Sequence, residues 1–281
     1  MTARRTAALL AASALALGLT ACGSDDGGDA GSGGGAGGGD KLKVGIKFDQ
    51  PGLGLKQGNE FTGMDVDVAT YVAKAMGTPK DEIEFIQAPS AQRETLISTG
   101  QVDMIVATYS ITDARKEKVS FAGPYFIAGQ DLLVRADDTS ITGPDTLQGK
   151  KLCSVTGSTS AQKVKEKVPG VNLQEFATYS ECVAALASGA IDALTTDDTI
   201  LAGYAAQEQY KGKLKVVGAP FSEERYGIGL KKGDTAMCQK VTDALTTMVS
   251  DGSWQKAVDA NLGPAGYKPG TGNPPKPDAC S

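Results

Sequence analysis

From Leu42 onward the chain alternates short β-prone runs with amphipathic helical stripes, and this alternation is laid down twice. Leu42 to Ile46 reads as a strand, and Val66, Val68, Ala69, Val72, Ala73 and Met76 recur at helical spacing before Gly77. Ile83, Phe85 and Gln87 alternate as a further strand, a helix runs from Ser90 to Gly100, a strand spans residues 102–107, and the same order resumes at Lys151. Such a chain folds as α/β layers, with ligand sites beyond the carboxyl ends of its parallel strands.

The duplication can be read residue by residue. At a constant offset of 89, Ser98-Thr99-Gly100-Gln101-Val102-Asp103-Met104-Ile105 falls on Ala187-Ser188-Gly189-Ala190-Ile191-Asp192-Ala193-Leu194. Each is a helix end, a glycine stop and a buried strand. The same offset lays Thr108 on Asp197, both just past a strand end, and Arg93 on Cys182.

Asp131 to Arg135 reads as a strand leaving the first half and Tyr226 to Leu230 as one returning, with helices over 234–250 and 253–260 still to be housed. The expected architecture is therefore a discontinuous lobe of residues 40–134 plus 227–281 and an inserted lobe of residues 135–226. Two hinge strands join them, and a ligand cleft lies between.

The N-terminal part reads as an address. Arg4 and Arg5 precede the apolar run 7–19, too short to span a bilayer, and Leu19-Thr20-Ala21-Cys22 looks like a bacterial lipobox. Residues 1–21 are thus expected to be a signal peptide, with Cys22 carrying the lipid. Residues 22–40, rich in Gly, Ser and Asp, are expected to be a flexible tether, although plain disorder would have the same composition. Without Arg4 and Arg5 the chain has 26 basic against 33 acidic residues, a net −7 that disfavours nucleic acid or an anionic membrane surface as partner.

Four cysteines follow Cys22 in what would be an oxidising compartment. Of the three possible pairings, Cys153 with Cys182 and Cys238 with Cys280 is favoured, the second pinning a Pro- and Gly-rich tail with little of its own to bury. The chain has no histidine, which removes Ser-His-Asp and Cys-His nucleophiles, His-ligated zinc and the usual proton carrier near neutral pH. No metal or cofactor is expected.

Four motifs resemble those of the solute-binding proteins of polar amino-acid ABC importers, family 3. They are Gly63-Met64-Asp65-Val66-Asp67-Val68, Thr108-Tyr109-Ser110-Ile111-Thr112-Asp113-Ala114-Arg115, Gly157-Ser158-Thr159-Ser160, and Ile191-Asp192-Ala193-Leu194-Thr195-Thr196-Asp197-Asp198. Within that family the chain is most similar to actinobacterial glutamate-binding lipoproteins, through residues 49–55, 90–97 and 226–232. Met64 departs from the usual aromatic or branched aliphatic residue. The resemblance implies a two-lobed periplasmic-binding-protein-like fold of type II, acting as a monomer beside a membrane permease and a separate ATPase chain.

The resemblance also implies roles. Arg115 matches the arginine that grips the ligand's α-carboxylate, for which a planar two-pronged donor is suited. Thr108 and Ser110 match contacts to the amino group and carboxylate. Ser158 and Thr159 open a predicted helix whose N-terminus favours an anion, although Ser158 could simply be its cap. Asp197 matches the aspartate for the α-amino group, with Asp198 the competing helix cap. Arg93 aligns with the arginine directed at a side-chain carboxylate, while Lys47 and Tyr179 match further polar positions there.

Arg115, Arg93, Lys47 and Asp197 together carry a net +2, which an acidic amino acid compensates better than a neutral one. L-Glutamate is expected first, aspartate second and glutamine third. Two other readings share the fold: an exported dehydratase, which would need a spare carboxylic acid in the cleft beyond Asp197, and a sensor feeding a membrane signalling protein.

Overall fold

The structure is a computed structural model describing residues 41–281. The expected signal peptide, Cys22 and the tether lie outside the described residues.

The chain opens with β1 (Leu42–Ile46), a small ribbon of β2 (Asp49–Gln50), β3 (Gly54–Gln57) and β4 (Glu60–Thr62), and helix α1 (Met64–Ala75). β5 (Ile83–Gln87), α2 (Arg93–Ser98), β6 (Met104–Ile105), the short α3 (Asp113–Lys116) and the long β7 (Val119–Ala128) follow. Beyond Gly129 come β8 (Gln130–Arg135), β9 (Lys151–Val155), α4 (Thr159–Lys167), β10 (Asn172–Phe176), α5 (Tyr179–Ala187), β11 (Ala193–Asp197), α6 (Asp198–Ala205) and β12 (Leu214–Val216). The chain returns through β13 (Glu224–Lys231) and ends on α7 (Thr235–Ser250), α8 (Ser253–Asn261) and an irregular tail.

These strands make two five-stranded sheets with one plan. The first has the order β5-β1-β6-β13-β7 and the second β10-β9-β11-β8-β12. In each, the first three strands are parallel and the next runs antiparallel. Period-two alternation decides the faces of β1: Val44 and Ile46 join the core that holds Val68, Val72 and Val241, whereas a side chain at Gly45 would meet Ala88 and Ile105 of a second cluster. Each fully buried aliphatic side chain of this kind contributes about 1.5–3 kcal/mol.

The 89-residue offset marks a true structural repeat. Gly100 and Gly189 both stop their helices at positive φ, 69° and 80°. The aspartates three residues on do the same work in each lobe. The Asp103 carboxylate accepts Lys43 N–H at 2.8 Å and its own N–H donates to Lys43 O, as Asp192 does with Lys151.

Two boundaries differ from those expected. Asp131 to Arg135 does not finish the first lobe: β8 is bonded to β11 and β12 in the second sheet. All of β13, from Glu224, belongs to the first. The crossings therefore lie near Gly129 and Ser222–Glu223, not after residues 134 and 226. Two predicted elements are also shorter than read. The helix expected from Ser90 begins with a 3-10 turn over Ser90–Gln92 after Pro89, and only Met104–Ile105 of residues 102–107 is laddered.

Both expected disulfides are formed, Cys153–Cys182 with Cα atoms 5.7 Å apart and Cys238–Cys280 at 5.9 Å. The second holds the tail along β7, the edge strand of the first sheet. There Asn273 donates to Ile127 O at 2.7 Å and accepts its N–H at 3.0 Å, and Asp278 N–H donates to Gly123 O at 2.7 Å. The tail thus covers an edge that would otherwise offer free backbone groups to another strand.

Candidate functional site

Because both sheets share one plan, the carboxyl ends of β1 and β6 in one lobe face those of β9 and β11 in the other, across a seam. A small, tightly closed pocket lies in it, lined by Ser90, Arg93 and Thr108 from the first lobe and by Ser158, Thr159, Ser160, Tyr179, Asp197 and Ile200 from the second.

The first-lobe wall is cationic. Arg93 opens α2 and is 2 % exposed. Its guanidinium stacks on the Tyr109 ring at 4.3 Å and donates to Ala107 O at 2.9 Å, while its Nε has no partner among the described residues. Burial, and then neighbouring Arg115, lower its pKa to about 10, so it stays charged near neutrality. Behind it Lys47, just past β1, donates to Ser90 Oγ at 2.8 Å and reaches the cavity only through that serine. Desolvation first and Arg93 second bring Lys47 down to about 7.

Thr108 holds a left-handed φ of 47°, which a β-branched residue adopts only when its surroundings force it. The force comes from Asp65. This wholly buried carboxylate of α1 accepts Thr108 N–H at 3.1 Å and the Tyr125 hydroxyl at 2.7 Å. Burial pushes Asp65 up to about 7 against those hydrogen bonds. Thr108 Oγ1 in turn donates to Ala107 O at 2.7 Å and lies 3.3 Å from Gln50 Oε1.

The second-lobe wall is hydroxylic and anionic. Ser158 is the cap of α4, accepting Ala161 N–H at 3.0 Å, and the same residue lines the cavity. The adjacent aspartates divide their work. Asp198 Oδ1 accepts the N–H groups of Gly129 (3.2 Å) and Thr199 (2.8 Å) and the Tyr267 hydroxyl (3.1 Å), which satisfies the start of α6. Asp197 makes no capping bond and faces the cavity, accepting the Tyr226 hydroxyl at 2.6 Å and Ser160 Oγ at 3.3 Å. Burial, and then the Glu224 carboxylate, push Asp197 up to about 8.

Ser110 and Arg115 lie at the margin of the cavity, not in its lining. Arg115 donates to Ser110 O at 2.8 Å and, across the seam, to Gly157 O at 3.1 Å, with its Nε 3.4 Å from Glu94. A guanidinium has five N–H donors, so two remain beyond these three partners. Ser110 Oγ meets Thr159 Oγ1 across the seam at 3.3 Å.

Asp197 is the one carboxylate among the residues that line the cavity, and three others act on it from outside that lining. Asp65, Glu94 and Glu224 are all within the site's electrostatic reach, and each is occupied. Glu94 also accepts the Tyr109 hydroxyl at 2.8 Å, and Glu224 takes Lys163, Ser222 and Thr159 Oγ1. With Arg115 offset by Glu94 and Lys47 titrating beside Asp65, the net +2 no longer describes the site. Of the three basic residues, only Arg93 lines the cavity itself. Asp65 and Glu224 carry no local sign of this placement: acidic residues in a helix's first turn or at a strand's end are usually solvated. Among the described residues, no cluster of Cys, Asp and Glu is arranged to hold a metal ion.

Residues 42–264 match the model of the bacterial extracellular solute-binding proteins, family 3. The chain is 50 % identical over 279 residues to the glutamate-binding protein GluB of Corynebacterium glutamicum, covering 94 % of this chain and 93 % of that one. It is 38 % identical over 219 residues to the ABC transporter glutamine-binding protein GlnH of Bacillus subtilis, covering 77 % and 79 %. Among solved structures, an ancestral arginine-binding protein bound to glutamine superposes with a TM-score of 0.74 at 35 % identity, covering 80 % of this chain and 98 % of that one.

Proposed function

Because the chain belongs to the bacterial extracellular solute-binding proteins of family 3, we propose that it is the receptor of an ABC importer that binds L-glutamate between its lobes and delivers it to a membrane permease. One observation carries the reading: the same small pocket is lined by Arg93 on one lobe and by Asp197 on the other. An α-amino acid with an acidic side chain answers both. Its ammonium group goes to Asp197 and the hydroxyls of the second lobe, its α-carboxylate to the free N–H groups of Arg115 with Ser110 and Thr159, and its side-chain carboxylate to Arg93. Lys47 and Tyr179 support the side-chain end from behind.

Ligand touches both walls only when the lobes meet, so binding draws the population toward the closed form. The names of the relatives support a binder and not an enzyme. Asp197 is the one carboxylate in the cavity lining, and Asp65, Glu94 and Glu224 beyond it are committed to protein partners, which argues against a general acid poised for dehydration. The lipobox-like run before Cys22 supports a lipid-anchored receptor on the outer face of the cytoplasmic membrane. No helix among the described residues is long and apolar enough to cross it.

A second ligand is favoured by a specific observation. With Lys47 and Asp65 both titrating near pH 7, the site can present little net charge, which suits a neutral amino acid such as glutamine.

Deleting the gene is expected to remove most uptake of labelled glutamate at low external concentration. Unchanged uptake alongside a lost glutamate response would identify a sensor and overturn the transport reading.

A further inference from the structure

The ribbon that follows β1 touches the other lobe outside the cavity, and its contacts are backbone-close. At the turn between β2 and β3, Pro51 O lies where a side chain on Gly203 of α6 would begin: a Cβ there would sit 2.1 Å from that oxygen, against a limit near 3.0 Å for real contacts. Apart from the helix's own backbone and the neighbouring residues, the three atoms nearest that Cβ position all belong to Pro51, on the opposite lobe.

Beside it, the Asp49 carboxylate accepts Ser180 N–H at 3.2 Å, one of the orphan donors in the first turn of α5, and the Tyr204 hydroxyl at 3.1 Å. Tyr204, 2 % exposed, also donates to Asp49 O. The first lobe therefore completes the cap of a second-lobe helix, and it can do so only when the lobes are together.

We propose that the Asp49–Gly52 turn and its seat on α5 and α6 form a closure latch. Asp49 and Gly203 are positioning residues that set affinity through the closed state, without touching the ligand. The latch rests on the reading that the lobes part to admit an amino acid. Gly203 is its cleanest probe: it lies inside a helix, where alanine is the better residue, and its φ is not in the left-handed region. Gly157, the other close approach, would meet Ala91 across the seam but has a φ of 77°, so any side chain there would be strained on its own account.

Gly203→Ala should bind glutamate at least about tenfold more weakly in calorimetric titration, because the competent closed state becomes rare. Its ligand-free melting temperature should stay level or rise. Opposite signs on affinity and stability are what a merely damaged helix would not give. Asp49→Ala should speed ligand dissociation severalfold while leaving association unchanged.

Wild-type affinity in Gly203→Ala, or a melting temperature that falls with the affinity, overturns the latch. If the wild-type protein binds neither glutamate nor glutamine, the reading of function fails. The latch is then read from small-angle scattering of the unliganded proteins: a larger radius of gyration in Gly203→Ala supports it, and equal radii overturn it.

Discussion

Arg93→Met is expected to weaken glutamate binding by a factor of about a hundred to several thousand while leaving the ligand-free protein at least as stable as wild type. The guanidinium is 2 % exposed and lines the cavity, so a carboxylate bound to it is out of water as well. Removing one partner of a buried ion pair leaves the other uncompensated, at a cost of about 3–5 kcal/mol. Stability should not follow affinity. Burial and the neighbouring Arg115 already disfavour the charged form of Arg93, lowering its pKa, and methionine keeps an unbranched stem over the Tyr109 ring. Calorimetry and a thermal melt on the same sample check both parts. Undiminished affinity would place the ligand's anionic group elsewhere.

Asp197→Asn should lose binding by a similar factor and show a pH signature that no surface change would produce. Asp197 is raised from the usual carboxylate range to about 8 by burial, then by Glu224, so between about pH 4 and pH 8 the folded protein holds a proton that the unfolded chain has released. A raised pKa contributes stability at low pH that is lost as pH rises through the folded value. Asparagine carries no such proton and still accepts the Tyr226 hydroxyl. The melting temperature of the variant minus that of wild type should therefore climb across this window and level off above it. A difference independent of pH would show that Asp197 is not the strained carboxylate described here.

The elements that local pattern can specify were legible. β1 and β5 begin and end where period-two alternation says they do, and α7 and α8 fall within a residue or two of their stripes. What could not be read is where strands pair. Asp131–Arg135 is apolar enough to lie in either sheet, and only long-range register assigns it to the second. The ribbon that carries the latch had a readable signal in Gly58-Asn59, a two-residue hairpin loop with φ of 60° at the glycine, but its strands are too short to show alternation.

The site divides in the same way. Arg93 and Asp197 are legible through a family likeness and, for Asp197, through the internal offset that pairs it with Thr108. Asp65 and Glu224 are not, because each reaches the cleft from an element distant in sequence. Their effect is large all the same. Asp65 stands beside Lys47 and Glu224 beside Asp197, so each changes the charge that the cavity presents.

The ligand's side chain is what distinguishes glutamate from glutamine at Arg93. Calorimetric titration of the purified protein with L-glutamate and L-glutamine at neutral pH measures it directly. The arrangement around Arg93 predicts that glutamate binds at least about tenfold more tightly, the worth of one charge-assisted hydrogen bond. Equal or tighter binding of glutamine, or binding of neither, would contradict it.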